Sequence, residues 1–137
     1  MSLFKDIEFL ARKYQASDIL EDLCTISLCA AARQEAPTEK IYLETIKPYN
    51  REELQLFKQM YAKLWAEGNP SYDDRLGSLY MEIRSNWKGS ALGQFFTPMH
   101  ICELMTRVIG GQKAGVRVAD PCCGSGRMLM AHHKHSS

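Results

Sequence analysis

Val116-Arg117-Val118-Ala119-Asp120-Pro121-Cys122-Cys123-Gly124-Ser125-Gly126-Arg127-Met128-Leu129-Met130-Ala131 decides the fold class of this chain. Val116 to Ala119 is a short β-rich run, Asp120 to Gly126 a tight turn, and Arg127 to Ala131 has helix propensity. Strand, Gly-rich turn and helix in that order form the opening unit of a doubly wound α/β domain. Gly124 and Gly126 let backbone come close to a ligand, and the helix start behind them presents unpaired N–H groups. Asp120, at the carboxyl end of the strand, sets a carboxylate beside that crevice. A ligand carrying an ammonium group suits it.

Three nucleotide readings compete for the turn. A phosphate-binding P-loop needs Lys and then Ser or Thr after its second glycine, and Arg127-Met128 stands there. The dinucleotide fingerprint wants a third small residue where Leu129 stands, and Asp120-Pro121 precedes the turn. S-adenosylmethionine remains: it has no phosphate, and its amino-acid end carries an ammonium and a carboxylate.

Upstream, Gly93-Gln94-Phe95-Phe96-Thr97-Pro98 ends in a helix start, with Thr97 as cap and Pro98 where a missing N–H costs nothing. Ile101, Leu104, Met105 and Val108 are the buried stripe expected of that helix, which Gly110-Gly111 ends. The plain reading of the motif is a capped helix with two core phenylalanines. The functional one is a set of N–H and hydroxyl groups able to receive a carboxylate.

The first half of the chain reads as helices. Leu3, Phe4, Ile7, Leu10, Ala11 and Tyr14 recur at three- and four-residue steps. Ser17 or Asp18 is expected to cap a second helix carrying Leu20, Leu23, Cys24 and Ile26, with Pro37 stopping it. Lys40 to Ile46 is expected to be a loop. Asn50, with Glu53 three residues on, caps a helix with Leu54, Phe57, Tyr61, Leu64 and Trp65 as its stripe, and Gly68 closes it. Leu76, Leu79, Tyr80, Ile83 and Trp87 mark a further helix, and Lys88-Gly89-Ser90 is the expected hinge. The expected domains are 1–88, helical, and 89–137, the beginning of an α/β domain.

With 137 residues, 45% hydrophobic and 24% charged, the chain has the composition of one globular domain and not of a disordered tail. No run approaches the roughly 18 to 20 apolar residues that span a bilayer, and Phe4-Lys5-Asp6-Ile7-Glu8 is unlike an export signal. A net charge of +1 gives no global case for nucleic-acid binding. Cys24, Cys29, Cys102, Cys122 and Cys123 make no CxxC pair, so reduced thiols and a cytoplasmic location are expected. The vicinal pair Cys122-Cys123 reads as small side chains available for packing. His132-His133-Lys134-His135 reads as a solvated helix end, and no metal site is expected.

Gly93-Gln94-Phe95-Phe96-Thr97-Pro98 and Ala119-Asp120-Pro121-Cys122-Cys123-Gly124-Ser125-Gly126 together resemble the N6-adenine DNA methyltransferases. The likeness is strongest to the modification subunits of type I restriction–modification systems, and it covers roughly Tyr80 to Ala131. It implies a mainly α N-terminal region followed by the start of a Rossmann-like, S-adenosylmethionine-dependent methyltransferase fold. Thr97 and Pro98 match the motif beside the methionyl carboxylate, with Phe96 next to the cofactor. Asp120, Pro121, Gly124 and Gly126 match the motif around its amino-acid end, and Cys123 and Ser125 of the same turn join the expected cofactor-binding set. Met99 and Arg127 depart from the family pattern, in which a basic and a small residue are common at those places.

The family's catalytic motif is Asn or Asp, then Pro-Pro and an aromatic, which holds a flipped adenine. The chain contains no Pro-Pro, so no catalytic residue is assigned to it. Asn69-Pro70-Ser71-Tyr72 lies before both cofactor motifs and reads as a turn. The expectation is the N-terminal part of a larger enzyme, inactive alone. DNA is the implied partner of the complete enzyme, with specificity or restriction subunits and a homo-oligomer as further candidates. The alternative is a helical interaction module, without catalysis, that assembles or regulates a modification complex.

Overall fold

Apolar spacing sets where helices lie, while caps and prolines set where they start. A computed structural model describes residues 3–32, 36–68, 73–86, 95–109 and 117–136. Among these, all regular structure is helical: α1 (Leu3–Leu10), α2 (Ala16–Ala31), α3 (Ala36–Ile46), α4 (Arg51–Gly68), α5 (Arg75–Asn86), α6 (Met99–Ile109) and α7 (Arg127–Ser136). Among the described residues, no helix is long and apolar enough to cross a membrane. The chain divides into two compact units, Met1–Ala66 and Glu67–Ser137. Trp87, the expected hinge at Lys88–Ser90, the Asn69-Pro70 turn, Gly93-Gln94, Gly110-Gly111 and Val116 lie outside the described residues.

In the first unit, Ile7 and Leu10 of α1, Ile19 and Leu23 of α2, and Phe57 and Met60 of α4 are almost wholly buried. Each such side chain contributes about 1.5–3 kcal/mol relative to an exposed one. Tyr49 joins this core, 4.6 Å ring to ring from Phe57 and 4.8 Å from Tyr14, and its hydroxyl donates to Asp22 Oδ2 at 2.5 Å. Burial, then that carboxylate, pushes the Tyr49 hydroxyl pKa upward. The α4 start is a reciprocal capping box. Glu53 N–H donates to Asn50 Oδ1 at 2.9 Å, and Asn50 N–H donates to Glu53 Oε2 at 2.8 Å. Lys13 Nζ adds an ion pair to Glu53 Oε1 at 3.0 Å.

Several expectations in this unit are corrected. Lys40–Ile46 is the body of α3, not a loop. Pro37 stands at the second residue of α3, where no intrahelical N–H is lost, and so helps start this helix instead of stopping α2. Glu39 in the first turn and the Thr45 hydroxyl bond to the Ile41 carbonyl (2.8 Å) fit that assignment. α2 begins at Ala16 behind Gln15, whose side chain makes no cap bond, so Ser17 and Asp18 lie inside the first turn. Cys24 and Trp65 are exposed because the buried faces of α2 and α4 run through Cys29 and Met60.

In the second unit α6 packs on α7. The buried residues of this pair are the small ones, Cys102, Thr106 and Ala131, and Thr106 Oγ1 donates to the Cys102 carbonyl at 2.9 Å. Lys134 Nζ of α7 meets Glu103 Oε1 of α6 at 2.7 Å on the flank of the pair. The expected buried stripe is therefore corrected. Ile101, Leu104, Met105 and Val108 are all exposed, Val108 by 79%. Close helix approach needs small side chains, which periodicity alone does not weigh.

The expected strand is corrected too. Arg117–Asp120 forms no strand or bridge among the described residues. A strand exists through bonds to a neighbouring strand, and none is present among those residues to pair its N–H and C=O groups.

Candidate functional site

The turn before α7 is built by its own backbone. Asp120 Oδ1 accepts the Cys122 N–H at 3.0 Å, an Asx turn that starts the reversal. Gly126 N–H then donates to the Cys123 carbonyl at 2.8 Å, and the Gly126 carbonyl accepts the Met130 N–H at 2.9 Å, opening α7. Gly124 has φ +56° and Gly126 φ +84°, left-handed values that disfavour any side chain. A Cβ on Gly124 would also lie 3.3 Å from Phe96 Cδ1. So the turn and the segment before α6 are in close contact.

That segment differs slightly from the expected cap. α6 begins at Met99, and the Pro98 carbonyl accepts the N–H groups of Ile101 (3.0 Å) and Cys102 (3.1 Å). Pro98 is thus the residue before the helix instead of its first position. Phe96 is half-buried, tilted against Tyr80 at 5.5 Å between centroids, and the Arg127 guanidinium lies 5.6 Å from its ring centroid.

Between the two segments is a cavity of about 220 Å³. Of the expected site residues, Phe96, Thr97, Asp120, Cys123, Gly124 and Ser125 line it, whereas Pro98, Pro121 and Gly126 shape the backbone beside it. Phe95, Cys102, Cys122, Arg127 and Met128 complete the lining. Cys122 and Cys123 are exposed, which corrects their reading as packed thiols. Cys102 is fully buried, and desolvation pushes its thiol pKa above the ordinary value.

Arg127 is the group that the sequence reading passed over. Its Nε donates to Asp74 Oδ2 at 2.7 Å, and Nη1 donates to the Thr97 carbonyl at 3.2 Å. Asp74 is buried, and its Oδ1 accepts the Gly77 N–H at 2.7 Å, capping α5. One signal was present: Asp74 three residues before Gly77, the spacing of a helix cap.

Chemically, the cavity presents one carboxylate, one guanidinium already engaged, two phenylalanine rings and a helix start. Ser125 Oγ is buried and makes no hydrogen bond among the described residues. Among the described residues, no cluster of three His, Cys, Asp or Glu side chains could hold a metal ion. Residues 71–137, just under half of the chain, match the family model described as N-6 DNA Methylase. No solved structure matches the chain.

Proposed function

From the match of residues 71–137 to the family model described as N-6 DNA Methylase, we propose that Phe96–Pro98 and Asp120–Gly126 bind the amino-acid end of S-adenosylmethionine. The observation that carries this reading is one cavity lined by residues of both motifs. Asp120 offers a carboxylate to the ligand's ammonium. The Thr97 segment and the N–H groups at the start of α7 offer donors to its carboxylate. Phe96 supplies an apolar wall. At about 220 Å³ the cavity is smaller than the roughly 300–1,000 Å³ that encloses a whole drug-sized ligand, so it suits one end of the cofactor.

When bound, the cofactor supplies a methyl group on a sulfonium for transfer to adenine N6 of DNA. This chain orients its methionyl end and contributes no catalytic group, since the Pro-Pro-aromatic motif is missing from the sequence. The protein acts in the cytoplasm as part of a restriction–modification methyltransferase with DNA as its substrate. Titration calorimetry with S-adenosylmethionine tests the reading. Weak binding, with Kd around 0.1 mM or above and abolished by Asp120→Ala, is the expected result for a partial pocket. Absence of any heat with the parent chain would refute it. A second reading, an interaction module that assembles a modification complex, draws support from the exposed apolar face of α6, Leu104, Val108 and Ile109. It predicts no cofactor heat and no effect of Asp120→Ala.

A further inference from the structure

We propose that Asp74 and Arg127 form a latch that holds the Phe96–Pro98 segment against the glycine turn, making Asp74 a positioning residue of the pocket. The proposal rests on the cofactor reading given above. Asp74 does not line the cavity, and it reaches the cavity only through Arg127. Arg127, by contrast, is in the lining, and its guanidinium spans three parts of the chain. Nε engages Asp74, 53 positions away, and Nη1 engages the Thr97 carbonyl, 30 positions away. Nη2 faces Ser78 Oγ at 3.4 Å, and the planar group lies near the Phe96 ring.

The geometry explains why these residue types are needed. Only a guanidinium has a rigid fork of donors that can meet a carboxylate and a carbonyl in different directions at once. The Asp74 side chain is 3% exposed, so its charge is costly unless paired, and this binds Arg127 to one orientation. With Asp74 neutralised, the guanidinium is free to swing within the cavity it lines. It then releases the Thr97 carbonyl and confronts the ligand's ammonium with a mobile positive charge. The Thr97 carbonyl also accepts the thiol of the fully buried Cys102 at 3.7 Å, so Cys102 lies under the segment that the latch holds.

Cys102 therefore reports the latch without any ligand. The test uses the full chain and Asp74→Asn, which keeps an oxygen to cap the Gly77 N–H but removes the charge. S-adenosylmethionine affinity should fall about tenfold, a size typical of residues sharing one bonded network. Iodoacetamide labelling of Cys102, mapped by mass spectrometry and read well below the lowered melting transition that loss of the charged bond brings, should accelerate by about the same factor. Arg127→Lys, which keeps charge but loses the fork and leaves the α5 cap intact, should move both readouts the same way and serves if Asp74→Asn unfolds. Affinity and Cys102 labelling within twofold of the parent in both variants would overturn the latch. A parent chain that binds no cofactor, but whose Cys102 labelling still depends on Asp74, removes the cofactor reading and keeps the latch.

Discussion

Replacing Gly77 by alanine should destabilise the second unit, against the usual rule for a helix. Within a helix interior, Gly→Ala ordinarily stabilises by about 1 kcal/mol, because alanine loses less backbone entropy. At Gly77, however, an added Cβ would overlap Asp74 Oδ2 and lie 2.7 Å from Asp74 Cγ and 2.8 Å from Oδ1. The carboxylate cannot simply turn aside, since it is buried and bonded at both oxygens. Displacing it sacrifices the α5 cap, about 1 kcal/mol, and the charged bond to Arg127, about 2 kcal/mol. Against the propensity gain, the net loss is about 2 kcal/mol, which lowers the melting temperature of a domain this small by roughly 10 °C. Thermal unfolding followed by circular dichroism measures it. The decisive comparison is the same substitution in an Asp74→Ala background: with no carboxylate to strike, Gly77→Ala should there stabilise by about 1 kcal/mol. A Gly77→Ala single variant that melts at or above the parent refutes the reasoning.

Gly126→Ala should lower stability by about 1 kcal/mol through its left-handed backbone alone, since a Cβ there meets no protein atom within 4 Å. Gly124→Ala should reduce stability by more, because its Cβ also presses on Phe96; equal losses in the two variants, by thermal unfolding, would contradict this. Asn50→Ala should cost about 1 kcal/mol in urea denaturation through loss of the α4 cap. Glu53 has its pKa held below the ordinary 4.5, first by the Asn50 N–H and then by Lys13 and Tyr14. Its contribution is therefore complete above pH 4.5 and fades as pH falls through the lowered folded value. Glu53→Gln should flatten that acid limb, and an unchanged slope counts against the box. Phe57→Ala should cost about 3–5 kcal/mol, read from the urea midpoint.

Much was legible locally. The Asn50–Glu53 box needed only two residues three apart, and the Ile7, Leu10, Leu23 and Phe57 faces followed from helical spacing. The glycine turn was legible for the same reason: left-handed backbone at Gly124 and Gly126 is a property of the residues themselves. Other features depend on partners distant in sequence. Nothing in Val116–Ala119 says whether a neighbouring strand is there to complete it. Nor does the periodicity of α6 reveal that Cys102 and Thr106, and not Leu104 and Val108, face α7.

For the candidate site, the two motifs and the chemistry of Asp120, Thr97 and Ser125 were open to reading from residue types and order, because short-range geometry governs them. The role of Arg127 was not. Its side chain finds a buried carboxylate 53 positions earlier and a carbonyl 30 positions earlier, and such pairings are selected by desolvation and packing in the folded chain. Local sequence determined helices, caps and the glycine turn through backbone conformational preference. Tertiary structure decided which faces are buried, which charges meet and which residues share the cavity, because those depend on what the rest of the chain brings alongside.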